Sequence, residues 1–344
     1  MNHILIVKIG AIGDVVMALP LLPYLKKKYP EAKISWLCGA SVAGILQETG
    51  MVDTLVVVNE KSLINGSAPE KVSAILKAWK QTAFQRYDLV VYGYFADAYR
   101  ILFLPAFVGK MHRFSRKQQD RIIPIPGRHH SFEYLRLAAG TDTAENFVAE
   151  YPPFRYLHAD HARILQNPGP GIRILFACGG ARNLLRDDLL RRWPIEQYVK
   201  LTRILLAKGY EVVLTGGPDD KWILPYFQEL SITDMVGQLG LLDYISFMKT
   251  GDCMVTHDSG PLHLADLANL PSVSVFGPTN PWEKASLLPA STFIWGGENL
   301  TCRPCYDGRN YANCQNPVCL EMVSAELVAL KVEEVLAAKS TMHK

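Results

Sequence analysis

Short apolar runs alternate along the chain with segments whose apolar residues recur every three or four positions. Ile4-Leu5-Ile6-Val7 has the character of a buried strand, Lys8 to Gly13 that of a glycine-bearing turn, and Asp14 to Tyr29 that of a helix closed by Lys26-Lys27-Lys28. The strand pattern returns at residues 33–37 and 54–58. A helical period then runs from about Pro69 to Phe84, and residues 89–92 read as another strand. Beyond the breaker cluster Asn167-Pro168-Gly169-Pro170-Gly171 the alternation starts again, with strands at 172–177 and 211–215 separated by a helix that follows Trp193-Pro194. An amphipathic period from Ser324 to Lys339 closes the chain. Such alternation predicts an α/β protein of two Rossmann-like, doubly wound halves. The predicted domains are 1–166 and 167–322, with 323–344 a helix crossing back to the first domain.

The sharpest pattern is residues 252–281, DCMVTHDSGPLHLADLANLPSVSVFGPTNP. A strand over Cys253 to Thr256 runs into Asp258-Ser259-Gly260-Pro261, which carries helix-start chemistry, and a second strand over Ser272 to Phe276 stops at Gly277-Pro278-Thr279. The helix N-terminus of this βαβ unit presents unpaired N–H groups and a partial positive charge, so it can seat a phosphate. Simple capping by Asp258 or Ser259 explains the same residues equally well.

Composition narrows the classes. At 344 residues the chain suits two domains, and 49% hydrophobic with 20% charged residues excludes a disordered chain. A net charge of +3 is too small to argue for nucleic acid. Lys8 and Asp14 interrupt the apolar N-terminus, no small-residue cleavage site follows, and no stretch approaches a spanning helix. The expected location is therefore the cytoplasm, with membrane contact limited to the cytoplasmic face of the inner membrane. The basic run from Lys110 to His130 reads as a solvated loop, as a phosphate-binding loop, or as a segment resting on an anionic membrane. Asp97 and Arg100, just past a strand, either face a ligand or form a surface ion pair.

Two stretches carry a resemblance. Asp-Ser-Gly-Pro-Leu-His-Leu-Ala with Val-Phe-Gly-Pro-Thr-Asn-Pro resembles the nucleotide-sugar site of the ADP-heptose:lipopolysaccharide heptosyltransferases, glycosyltransferase family 9. The opening ILIVKIGAIGDVVMALP resembles the N-terminal motif of that family, whose Asp is the proposed general base. The resemblance implies a GT-B fold, with two Rossmann-like domains facing across a cleft, and an inverting transfer from ADP-heptose to a lipopolysaccharide-type acceptor. It assigns the base to Asp14, and donor contacts to Arg191, to Asp219 or Asp220, and to Asp258, Ser259, Gly260, His263 and Thr279. Acceptor contacts fall to Gly13, Asp97, Arg100, Arg113 and Arg116. No Asp-x-Asp motif occurs, so catalysis is expected to need no divalent cation. Two rivals share the pattern: a family 9 enzyme with another nucleotide sugar or a protein acceptor, and a nucleotide-binding protein of the same fold without turnover.

Four of the seven cysteines, Cys302, Cys305, Cys314 and Cys319, lie within 18 residues. In a reducing compartment they are either ligands of a structural zinc or iron or four reduced thiols. Autotransporter heptosyltransferases, a related branch, use a four-Cys iron finger.

Overall fold

The computed structural model describes residues 1–115, 122–141, 146–156, 171–182, 187–306, 310–314 and 316–342. The chain divides into two compact units, Met1–Arg155 and Tyr156–Lys344, so the boundary falls before the predicted one.

In the first unit, β1 (His3–Val7), β2 (Lys33–Gly39), β3 (Thr54–Val58), β4 (Arg86–Tyr92) and β5 (Phe107–Arg113) form one sheet in the order β3-β2-β1-β4-β5. Every pairing is parallel, with Val7 of β1 opposite Leu37 on one side and Tyr92 on the other. Strands buried on both faces explain the unbroken apolar runs, since helices cover both sides of such a sheet. The order reverses between β1 and β4. A crevice opens at such a reversal beside the strands' carboxyl ends, and ligands bind there.

Two predictions for this unit need correction. The helix expected over Asp14 to Tyr29 is two helices, Ile12–Ala18 and Leu21–Lys28. Pro20 has no N–H to continue the first ladder, and the chain restarts with Leu22 N–H donating to Leu19 O. The start of the basic run is not a loop either, because residues 110–113 complete β5. Arg116 lies outside the described residues.

The second unit holds β6 (Arg173–Phe176), β7 (Glu211–Leu214), β8 (Thr233–Asp234), β9 (Cys253–His257), β10 (Ser272–Phe276) and β11 (Thr292–Trp295). They too are all parallel, in the order β11-β10-β9-β6-β7-β8, and the reversal lies between β6 and β9. The closing helix, Ala325–Met342, was expected to return to the first domain. It packs instead on helix Ile195–Ala207 and on β9 and β10, and buries Val328, Val332 and Val335 in the core of the second unit. No helix among the described residues is long and apolar enough to cross a membrane.

Candidate functional site

In each unit the chemistry gathers where the strand order reverses. After β1 the chain turns through Ile9 and Gly10 into helix Ile12–Ala18, whose first turn carries Gly13 and Asp14. Lys8 Nζ lies 2.9 Å from Asp14 Oδ2. The lysine is buried, while the Asp14 side chain stays 41% exposed. Rings of Tyr94 and Tyr134 flank the ammonium, 4.6 and 5.8 Å from their centroids. Tyr94 also fixes the turn, its hydroxyl accepting from Ile9 N–H at 2.7 Å. Burial by itself would pull the Lys8 pKa down, but Asp14 and the two phenols outweigh it and hold it well above the ordinary lysine value. The ammonium is thus locked on, facing a carboxylate.

Past β4, a short 3-10 helix, Asp97–Phe103, brings Asp97 to Arg113 at the end of β5. Arg113 is buried, hydrogen-bonds Phe95 O at 3.1 Å and stacks over Tyr92, and Arg100 approaches Asp97 at 3.5 Å. Three of the predicted acceptor residues therefore form one ion-pair cluster. Arg113 is its buried member, and Arg100 its exposed one.

In the second unit, β9 ends at His257 and helix Gly260–Leu267 begins two residues after Asp258. Ser259 occupies the cap position but does not cap. Its hydroxyl turns back to His257 O at 3.2 Å and to Thr256 Oγ1 at 3.3 Å. Asp258 does not cap the helix either, since its Oδ2 accepts from Thr279 Oγ1 at 2.7 Å and from Arg191 Nη1 at 3.3 Å. Lys284 Nζ stands 3.7 Å from the same oxygen. Both predicted cappers are thus engaged elsewhere, and around Gly260 a side chain would meet nothing within 4 Å. A helix N-terminus without a side-chain cap, beside two cations, is suited to an oxyanion.

Burial alone would raise the Asp258 pKa, but Lys284, Arg191 and the Thr279 hydroxyl prevail and hold it well below the usual carboxylate range. Arg191 is further pinned by Asp188, 2.7 Å from Nη2. His263 lies one turn into the helix and is buried. Beneath it all, His257 has its pKa lowered to about 3, by burial first and then by Arg191 and Arg192.

The structure separates Asp219 from Asp220. Asp220 accepts from Gly180 N–H and Gly217 N–H, each at 2.8 Å, and so ties the turn after β6 to the turn after β7. Its carboxylate fills the place where a Gly179 side chain would stand. Asp219 is 79% exposed and, among the described residues, approaches Arg182 at 4.0 Å. Of the two, Asp219 is therefore the one able to reach a ligand. Arg192, which follows the predicted donor contact Arg191, clamps Gly180 O from Nε and Nη2 at 3.0 and 2.8 Å and has a structural task.

Cys302 is exposed and Cys305, Cys314 and Cys319 are partly so, all as free thiols. Burial and neighbouring thiols raise the pKa of Cys305 and Cys319. Among the described residues no three His, Cys, Asp or Glu side chains close to a metal-ligating set, so no chemistry is derived through a metal here.

Lys8 and Lys284 were not legible as site residues. The only signal for Lys8 is a lysine at the end of an otherwise apolar strand. For Lys284 there is none beyond its place five residues after Thr279.

The model of glycosyltransferase family 9 (heptosyltransferase) matches residues 171–314. Lipopolysaccharide heptosyltransferase 3 of Escherichia coli is 25% identical over 362 residues, covering 96% of this chain and 98% of that protein. Lipooligosaccharide heptosyltransferase 2 of Haemophilus influenzae is 24% identical and covers 85% and 88%. Among solved structures, a family 9 glycosyltransferase of Veillonella parvula superposes with a TM-score of 0.76 at 19% identity, covering 98% of each chain. ADP-heptose lipopolysaccharide heptosyltransferase II of E. coli gives 0.73 at 19%, covering 99% of this chain and all of that one. Two Rossmann-like domains of parallel strands, matched end to end by these structures, define a GT-B fold. The second unit thus matches the family 9 model, and along almost its whole length the chain is similar to heptosyltransferases of that family.

Proposed function

We propose that this enzyme transfers a heptose from ADP-heptose to a lipopolysaccharide core acceptor, with inversion at the anomeric carbon and without a catalytic divalent cation. The observation that carries it is the convergence of Arg191, Lys284 and Thr279 on Asp258 before an uncapped helix N-terminus. The names of its full-length relatives supply the sugar and acceptor.

In this mechanism Asp14 accepts the proton of an acceptor hydroxyl, whose oxygen attacks the anomeric carbon as its bond to the diphosphate breaks. One displacement inverts the configuration. Negative charge grows on the departing diphosphate, where Arg191, Lys284 and the first-turn N–H groups of helix Gly260–Leu267 stabilise it more strongly than in the bound donor. Asp258 is the buried pivot that aims both cations. Asp219 serves the ribose hydroxyls, and Arg113 with Arg100 serves acidic groups of the acceptor.

The test begins with thermal unfolding in ADP, UDP, GDP and CMP. A ligand at a hundred times its dissociation constant adds ~2.7 kcal/mol, a shift of several degrees. The expected outcome is a shift with ADP alone, followed by transfer from ADP-heptose to heptose-deficient lipopolysaccharide and an inverted anomer by NMR. A shift with UDP or GDP instead rejects the heptose donor, and retention of configuration rejects the single displacement.

A further inference from the structure

The cysteine-rich segment, which the transfer chemistry does not use, is seated on the turn that carries Thr279. Cys305 N–H and Tyr306 N–H both donate to Pro278 O, at 3.0 and 3.1 Å, so the carbonyl next to Thr279 is held twice. Arg303 is a second anchor: its Nη1 donates to Trp295 O at 2.8 Å and to Gly296 O at 3.1 Å, and its guanidinium lies 4.1 Å from the Trp295 ring centroid. Farther along, Cys319 closes on Gly277, where an added Cβ would stand 2.8 Å from its Sγ. Only glycine permits that approach.

Two tyrosines of this segment stand beside the two cations of the Asp258 cluster. The Tyr306 ring centroid is 5.0 Å from Lys284 Nζ, the ammonium that approaches Asp258 Oδ2 at 3.7 Å. Tyr306 pairs with Tyr311 through an antiparallel bridge, with Ala312 N–H donating to Cys305 O at 2.8 Å and the two ring centroids 4.8 Å apart. Burial opposes the charge of Arg191, but Asp258 and then Tyr311 outweigh it and raise its pKa, which puts the Tyr311 phenol beside that guanidinium.

An aromatic neighbour for Lys284 has a chemical consequence. At 3.7 Å the ammonium stands beyond hydrogen-bond length from Asp258, and a flexible four-carbon stem does not by itself keep it there. A ring face attracts the ammonium through its quadrupole and takes up none of its three N–H donors. The lysine side chain is 12% exposed, and such a contact is strongest where the cation has lost most of its water. A second carboxylate in that place would hold the cation as well, but it would repel an incoming diphosphate.

We propose that Tyr306, backed by Tyr311, positions Lys284 for the diphosphate of the donor, which makes the cysteine-rich segment part of the donor site. The inference rests on the reading of Asp258, Arg191 and Lys284 as that site. To it are added a second restraint on one cation and a positioning role for an aromatic pair.

The test is a double-mutant cycle in the full chain, with Tyr306→Leu, Tyr306→Phe and Lys284→Met, read by ADP titration and by the donor kcat/KM. Tyr306→Leu should weaken both by about 5- to 30-fold, the size of a partly desolvated cation–π contact. Tyr306→Phe keeps the ring face and should stay within about 2-fold of the wild type. In the Lys284→Met background the loss from Tyr306→Leu should shrink to about 2-fold or less, because the group it acts through is gone. The bonds to Pro278 come from the backbone, so the segment keeps its seat, and an unchanged far-UV spectrum shows that the variants fold. Tyr306→Gln, a second ringless variant suited to a half-exposed position, should match Tyr306→Leu. A merely structural tyrosine would cost the same with or without Lys284, so an undiminished loss in that background overturns the proposal. So would a Tyr306→Leu variant that binds ADP like the wild type, or a Tyr306→Phe variant as impaired as Tyr306→Leu. A wild type that does not bind ADP would sink the donor-site reading and this inference with it, whereas a wild type that binds ADP with Tyr306→Leu unaffected sinks this inference alone.

Discussion

Thr279 donates its hydroxyl to Asp258 Oδ2 at 2.7 Å, across 21 positions of sequence and from the far end of the β9-helix-β10 unit. The bond joins the two motifs that first marked this chain, Asp-Ser-Gly-Pro and Gly-Pro-Thr-Asn-Pro. Because Arg191 and Lys284 approach the same oxygen, one buried carboxylate sets the positions of a hydroxyl and two cations.

Asp258→Ala removes one partner from a buried charge cluster and leaves Arg191 and Lys284 facing each other. Stability should fall by about 3–5 kcal/mol. Asp258→Asn keeps the shape and should cost less, while still weakening ADP binding because the cations lose their aim. Chemical denaturation and ADP titration on both variants check this; unchanged nucleotide affinity would remove Asp258 from the donor site.

Asp219 and Asp220 should respond in opposite ways. Asp220→Ala leaves the partly buried Gly180 N–H without its acceptor, at about 1–3 kcal/mol, while the exposed Gly217 N–H can turn to water. Asp219→Ala should leave stability within about 0.5 kcal/mol and raise the Michaelis constant for the donor. Melting curves and donor kinetics on the pair separate the roles.

For Asp14 and Lys8 the two single variants should differ. Asp14→Asn strands a buried ammonium, whereas Lys8→Met leaves a half-exposed carboxylate that water can solvate. The first should therefore cost more stability than the second, and the double variant should recover part of the loss. Asp14→Asn should also lower kcat by about 100- to 10,000-fold, the range of a general base. Lys8→Met, which takes a positive charge from beside that base, should move the acid limb of the rate profile to higher pH. A double-mutant cycle by melting, with pH–rate profiles, tests all three statements.

Acid should destabilise the protein before its carboxylates titrate. In the unfolded chain His257 takes up a proton near pH 6.5, but in the fold it refuses one until about pH 3. The unfolded state thus binds more protons throughout that window, and stability falls as pH drops through it, at up to ~1.4 kcal/mol per pH unit. His3 and His112, whose pKa values are also lowered chiefly by burial, act in the same direction. Urea unfolding between pH 7.5 and 4.5 should show the slope, and His257→Gln should make it shallower.

Millimolar EDTA should leave the transfer rate unchanged if Arg191, Lys284 and the helix N-terminus carry the diphosphate charge between them. A rate lost to EDTA and restored by magnesium would mean that these groups do not suffice. Elemental analysis of the same preparation decides independently whether Cys302, Cys305, Cys314 and Cys319 hold zinc or iron.

Much of this architecture was legible because parallel strands bury both faces. Ser272–Phe276, buried throughout, could be read to the residue, and so could Thr54–Val58, which lies at the sheet edge with Thr54 and Val57 exposed but is rich in β-branched residues. The helix break at Pro20 was also written in the chain, but the helical period continued across it and outweighed a single imino acid. What periodicity cannot carry is the pairing of distant charges. Nothing local says that Lys284 will meet Asp258, or that Asp220 will be spent on two backbone N–H groups while its neighbour stays exposed. Local sequence showed where the strands end; which side chains are used up there depends on distant contacts, 21 positions apart for Thr279 with Asp258 and 40 for Asp220 with Gly180.

The closing helix, Ala325–Met342, belongs to the core of the second unit, with Val328, Val332 and Val335 sealed against β9, β10 and the Ile195–Ala207 helix. That half accordingly brings its own lid to its own core. Cutting the chain before Ala325 would therefore strip a wall from that core rather than trim a tail.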